Sequence, residues 1–222
     1  MMVSKNKIIR GDKMKYIIND KEEIFNSLTH YAGIPLGIIG GILLIVHAIK
    51  SENIGYLIGC SIYIFGVILL YSMSGTYHIL NHGKIKKIFK ILDHSAIYVL
   101  ISSSYMPYLL GYFDGTTKWI IFFAQWGITL VGVILKIFFA GKWSFLSTLI
   151  YLAMGWMVLF VIKDLKALIS PFSFWCLVAS GITYSLGTIF YSLDKFKYMH
   201  GIWHIFVLGG SFLNYLSIYF IK

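Results

Sequence analysis

Charge is what this sequence has least of. Only 13% of its 222 residues are charged, 58% are hydrophobic, and Asp and Glu together number 9. A soluble domain carries roughly 25% charged residues, so this balance excludes an ordinary water-soluble globule and points to a chain dissolved in lipid. Cysteine is scarce too. Cys60 and Cys176 both lie inside apolar runs, which argues against a disulfide framework and leaves the redox compartment open. No stretch is left over for a separate soluble domain. No cleavable signal peptide is expected either, because the basic N-terminal tail leads into a long apolar segment that reads as a retained span.

What the sequence does have is apolar runs of about 20 residues along its whole length, the span a hydrocarbon core demands. They predict an all-α bundle of seven transmembrane helices, at about 31–49, 54–80, 91–112, 117–140, 144–162, 171–193 and 200–221, after a basic tail over residues 1–20. Short connections carrying Lys with Gly or Pro separate several of them. Gly33, Gly37 and Gly41 on the first span, and Gly55 and Gly59 on the second, are small-residue stripes that let another helix approach. They read first as packing faces and also offer a route to a homo-oligomer.

The net charge of +10 would suggest nucleic acid in a soluble protein. Here no aromatic-basic module accompanies the charge, so nucleic acid is not an expected partner. The lysines gather in the tail and between spans, where they meet anionic lipid headgroups and set orientation. Thirteen Lys and Arg fall on the side of the N-terminus and five on the other, with Lys136 left out as a residue expected to snorkel inward. That asymmetry places the N-terminus in the cytoplasm and the C-terminus outside, in a multi-pass protein of the cell membrane.

With this topology, polar groups from three distant spans reach one leaflet. Span 2 arrives there with Ser74 and His78, span 3 starts there with Asp93 and His94, and span 7 starts there with His200 and His204. Positions four apart on a helix lie about 6 Å apart along the axis and face one way, so His200 and His204 can offer two imidazoles to a single ion. His78 would complete a three-nitrogen set with an open fourth position, the pattern of a catalytic zinc site. Asp93 could accept a hydrogen bond from a ligand or from water on the metal. An i,i+4 histidine pair also arises by chance, and a structural hydrogen-bond network is the other reading of the cluster. Both stay open at this point.

The remaining polar residues read more plainly. His82, next to Gly83, is expected in water; His47 reads as interfacial; His94 reads as packing or hydrogen bonding. Asp114, Asp164 and Asp194 sit in loops beside lysines as solvated charges. The stretch KEEIFNSLTH, residues 21–30, can place Ile24, Phe25 and Leu28 on one side of a short interfacial helix. Asn26 and His30 would then fall near the histidine leaflet, either supporting the site or serving as helix caps.

Four motifs carry a family resemblance: EIFNSLTH (23–30), SGTYH (74–78), LDHSAIY (92–98) and HGIWH (200–204). In this order, on these spans, over about residues 21 to 221, the sequence resembles the hemolysin III proteins. More distantly it resembles the progestin and adiponectin receptor family and the alkaline ceramidases. The resemblance implies a seven-helix protein with zinc in a cytoplasmic-side cavity. His78, His200 and His204 would be ligands, Asp93 would hold the zinc-bound water, and Ser74 would stand beside it.

Two classes of function follow from this reading. One is a zinc-dependent hydrolase of a membrane-lipid amide or ester, or a protein of lipid homeostasis, as the family's bacterial members are linked to. The other is a membrane-perturbing or pore-forming cytolysin, as the family's name suggests; a ligand sensor like the receptors ranks behind both. Little polar matter lies at the outer span ends, which argues against a through-pore within one chain.

Overall fold

Hydrocarbon offers backbone amides no hydrogen-bond partner, so a chain this apolar must satisfy them within helices. The computed structural model of the protein describes residues 20–222, and they form an all-helical bundle. A short helix, α1 (Lys21–Tyr31), is separated from α2 (Gly33–Lys50) only by Ala32. Then follow α3 (Ile54–Ile79), α4 (Lys84–Tyr112) and α5 (Gly115–Phe139). A broken rod comes next: α6 (Ser144–Gly155), a 3₁₀ stretch (Trp156–Val161) and α7 (Ile162–Leu168). It is followed by α8 (Pro171–Ser192) and α9 (Met199–Tyr219). Six of these rods are long and apolar enough to cross a membrane. The other rod, α4, lies among them but carries Asp93, His94, Ser95 and the run Ser102–Ser103–Ser104, which lower its hydropathy.

Local signals set the starts. Asp20 caps α1 by accepting the Glu22 amide at 2.9 Å, and Asn53 caps α3 by accepting that of Tyr56 at 2.9 Å. Ser170 and Pro171 open α8 as N-cap and first helical residue. Outward residues such as Leu36, Phe65, Phe123 and Phe160 are exposed and make an apolar sleeve. Among the buried side chains, by contrast, many are polar, including Ser74, Ser102, Gln125, Thr129, Ser173 and Ser217.

Several boundaries differ from those the sequence predicts. α4 begins at Lys84 rather than near 91, so Lys84, Lys86, Lys87 and Lys90 ride on its first two turns instead of in a loop. The fifth rod runs to Leu168 rather than 162, through the 3₁₀ stretch. The carbonyls freed there are recaptured. Those of Met154 and Gly155 accept from the Tyr105 hydroxyl at 2.8 and 2.7 Å, Gln125 Nε2 also donates to Met154 at 2.9 Å, and the Val158 amide donates to Tyr105 Oη at 3.0 Å. Lys136 is buried and donates to Ser147 Oγ at 2.6 Å, just past the turn that ends α5. The basic tail over residues 1–20 lies, but for Asp20, outside the described residues.

α1 encloses its polar side. Leu28 is exposed, while Asn26, Ser27 and His30 are buried against α3 and α9. The Ser27 hydroxyl donates to the carbonyl of Gly75 on α3 at 2.8 Å. With that internal partner, burying the Ser27 hydroxyl costs little, while Leu28 on the apolar side stays outward.

The glycine stripes pack as expected. Gly33, Gly37 and Gly41 meet Tyr71, Val67 and Ile64 of α3, while Gly55 and Gly59 meet the backbone of α4. At Gly59 a Cβ would collide with Met106 and Pro107 main-chain atoms, which cannot move aside as a side-chain tip could. Gly59→Val is therefore expected to destabilise the bundle by about 1–3 kcal/mol, seen as a fall in melting temperature of about 2–4 °C per kcal/mol. Gly127→Ala, where nothing lies within 4 Å, should not lower it in the same thermal unfolding measurement in detergent.

Candidate metal centre

Helix ends bring the site together. His78 and Ser74 sit in the last turns of α3, Asp93 lies in the third turn of α4, and His200 and His204 open α9. A close approach makes room for α1: a Cβ on Gly201, between the two α9 histidines, would strike the Phe25 ring and Asn26 Oδ1. The start of α9 has no side-chain cap of its own, and Glu22 Oε1 accepts the Tyr198 amide at 2.9 Å. α1 thus clasps α3 on one side and α9 on the other.

One ligand nitrogen from each of His78, His200 and His204 lies within 4.8 Å of the other two. The ring centroids are 4.7 to 5.0 Å apart. His78 and His204 are buried, and the Nε2 atoms of all three are shielded from solvent and lack a hydrogen-bond partner among the described residues. An orphaned polar atom in a dry interior costs roughly 1–3 kcal/mol, and three together mark a place where a ligand-accepting group belongs.

The tautomers are set by neighbours. His78 Nδ1 lies 3.0 Å from Glu23 Oε2; a carboxylate only accepts, so Nδ1 carries the proton and the Nε2 lone pair is free. Lys86 donates to the same Oε2 at 3.2 Å and anchors Glu23 as a carboxylate. His204 Nδ1 lies 3.0 Å from the carbonyl of Asn26, which can only accept, and 3.0 Å from Thr29 Oγ1. The Thr29 proton is itself given to that carbonyl at 2.8 Å, leaving its oxygen to accept. Imidazoles that hand one N–H to a carboxylate or a carbonyl, and present the other nitrogen bare, have the arrangement metal-binding histidines use.

The structure brings Asp93 and Ser74 to the same place. Both are buried; Ser74 lies beside the Asp93 carboxylate, and His78 lies within its field. Ser74 Oγ makes no well-aligned hydrogen bond among the described residues. Asn26 meets His204 through its backbone carbonyl rather than its side chain. His30 is fully buried, stacks on the His204 ring at 3.6 Å between centroids, and has neither ring nitrogen bonded among the described residues. It belongs to the cluster's wall, not to the three-histidine group. His82 is exposed, and His47 stacks on Tyr219 away from the site. His94 receives the Tyr151 hydroxyl on its carbonyl at 3.1 Å, and Asp114, Asp164 and Asp194 are exposed.

Sequence reasoning missed the work of Glu23, Thr29 and Lys86. A signal was present for the first: Glu23, Asn26 and His30 recur at helical spacing on the one face of α1 that is polar rather than apolar. For Lys86 there was none, since its partner lies on another helix.

Beside the histidines lies a cavity of about 360 Å³. Along α4 its lining runs from Ile97 to Phe113, about 24 Å of helix at 1.5 Å per residue. The walls are mostly aliphatic and aromatic, with Ser104, Tyr184 and Asn214 among the polar exceptions. Trp203 lines it, and the Trp203 ring stands 5.0 Å from that of His200 and 5.1 Å from that of His204. Trp203 thus borders both the apolar space and the α9 histidine rings.

The chain is similar in sequence to known proteins over most of its length. A Hemolysin-3 of Bacillus cereus is 40% identical over 200 residues, covering 90% of this chain and 91% of that protein. A Hemolysin-3 homolog of Bacillus subtilis is 41% identical over 200 residues, covering 90% and 94%. The human monocyte to macrophage differentiation factor is 27% identical over 208 residues, covering 89% and 83%. No solved structure matches. The family described as haemolysin-III related matches residues 18–215. With that match over most of its length and its several membrane-crossing helices, the chain is a multi-pass integral membrane protein of the haemolysin-III-related family.

Proposed function

We propose that this protein is a zinc-dependent hydrolase of a membrane-lipid amide or ester, working from the leaflet that faces the cytoplasm. The observation that carries this reading is the convergence of three bare imidazole nitrogens near the buried Asp93 carboxyl group, with a long apolar cavity alongside that shares Trp203. The donor set fits zinc, which takes neutral histidines with one coordination position left open. When bound by three imidazoles, zinc lowers the pKa of a water to about 7 and polarises a carbonyl oxygen.

The chain's residues divide the remaining tasks. The cavity between α4, α8 and α9 takes an acyl chain and excludes water, and Trp203 sets how far the scissile carbonyl can slide toward the histidines. Asp93 accepts a proton from the attacking water and returns it to the departing amine or alcohol as the acyl C–N or C–O bond breaks. Ser74, beside Asp93, turns its hydroxyl to donate to the oxygen on which negative charge builds. Glu23 and Lys86 hold the His78 ring in the tautomer that presents Nε2.

A second reading rests on the printed names of the bacterial relatives, which are hemolysins. Dye release from lipid vesicles separates the two. Leakage that persists in a His78→Ala, His200→Ala and His204→Ala triple variant favours membrane perturbation over hydrolysis.

Purified protein is expected to contain about one zinc per chain by elemental analysis. His204→Ala should lose both the metal and lipid turnover. Asp93→Asn should keep the metal while turnover falls by about 10²–10⁴-fold, the range of a lost general base. Stoichiometric zinc with no hydrolysis of any amide or ester lipid tested counts against the enzyme. Glu23→Gln removes the carboxylate behind His78 and is expected to weaken zinc binding by about 10–100-fold in competition with a fluorescent chelator. Unchanged affinity would show that Glu23 only braces α1.

A further inference from the structure

We infer that Lys90 of α4 and Lys136 of α5 form a binding site for the phosphate of an anionic phospholipid headgroup, at the turn between α5 and α6. This is a site apart from the histidine cluster, and it does not depend on the hydrolase reading.

Lys136 lies one turn from the end of α5, and only 4% of it is exposed. Its ammonium donates to Ser147 Oγ at 2.6 Å, and the Ser147 hydroxyl gives its own proton to the Trp143 carbonyl at 3.1 Å. That single oxygen is the one acceptor the ammonium has among the described residues. Lys90 comes to the same turn from α4. Its Nζ and Cε rest on Gly141, so closely that a Cβ there would collide with them. Gly141 has φ +78°, a conformation that leaves this approach open. Lys90, Lys136 and the ring of His94 lie within one another's electrostatic reach.

Among the described residues no carboxylate forms an ion pair with Lys90 or Lys136. The ion pairs among the described residues are those of Glu23 with His78 and with Lys86. Asp93 feels Lys90 but makes no ion pair with it and is buried. Two ammonium groups gathered in a medium of low dielectric repel each other and lose hydration. An anion with several acceptor oxygens relieves both, and a phosphate diester provides them at the depth where membrane lipids carry them. The turn bears the mark of that depth: Trp143 is exposed and stacks on Phe139 at 4.7 Å, as interfacial tryptophans do.

The test is native mass spectrometry of protein released from nanodiscs of phosphatidylcholine containing a minor share of phosphatidylglycerol. The wild type is expected to keep phosphatidylglycerol in preference to phosphatidylcholine. Lys90→Gln and Lys136→Met should each reduce that retention roughly fivefold, while Lys142→Gln, exposed at the same turn, should leave it nearly unchanged. Equal retention in the lysine variants, or no preference in the wild type, overturns the inference. Inorganic phosphate is added in a parallel arm. Persistence of the bound lipid supports a headgroup site, and full displacement would show that free phosphate is the ligand and overturn the lipid assignment. Should Lys136→Met fail to fold, Lys90→Gln, nearer the surface, decides the matter together with the wild-type preference.

Discussion

A polar atom inside a membrane protein must find its partner within the chain, because the surrounding hydrocarbon supplies none. That constraint accounts for most of this structure. Tyr105 and Gln125 recapture carbonyls where the rod Ser144–Leu168 turns to 3₁₀ geometry. Tyr108, Ser173 and Ser217 close a hydrogen-bonded knot at the opposite end from the histidines. Glu22, Glu23 and Ser27 dock α1 onto α9 and α3. Among the buried polar atoms left without a partner in the described residues are the Nε2 atoms of His78, His200 and His204, on three rings close enough together that they could hold one metal ion.

The spans, the class of fold and the convergence of His78, His200 and His204 were legible in the sequence. Each rests on a short-range regularity: run length against bilayer thickness, and an i,i+4 spacing that fixes a common face. That Ser74 and Asp93 come to the same end of the bundle as His78 followed from helix direction alone. What escaped came from contacts between elements. Thr29 acts on His204, 175 positions away, and Lys86 reaches Glu23 across 63. No local pattern encodes such pairs.

α1 shows how contacts between elements add to a local rule. Its Ile24, Phe25 and Leu28 give an apolar side, and Leu28 stays exposed. What the pattern did not show is that the polar side is enclosed: Ser27 donates to Gly75, and the Asn26 carbonyl and the Thr29 hydroxyl meet His204. The start of α4 is a parallel case. Its lysines looked like loop residues, but lysine is a good helix former, and Lys86 gains a buried partner by lying on the first turns.

The first helix described and the last one both pack around the three-histidine cluster. A polypeptide is made from its N-terminus, so Glu23 and Thr29 are in place long before His200 and His204 exist. No partial chain lacking α9 holds more than one of the three histidines, and their convergence waits for α9 to pack against α1 and α8. The cluster is thereby among the last features of the bundle to form, and its completion depends on both ends of the chain.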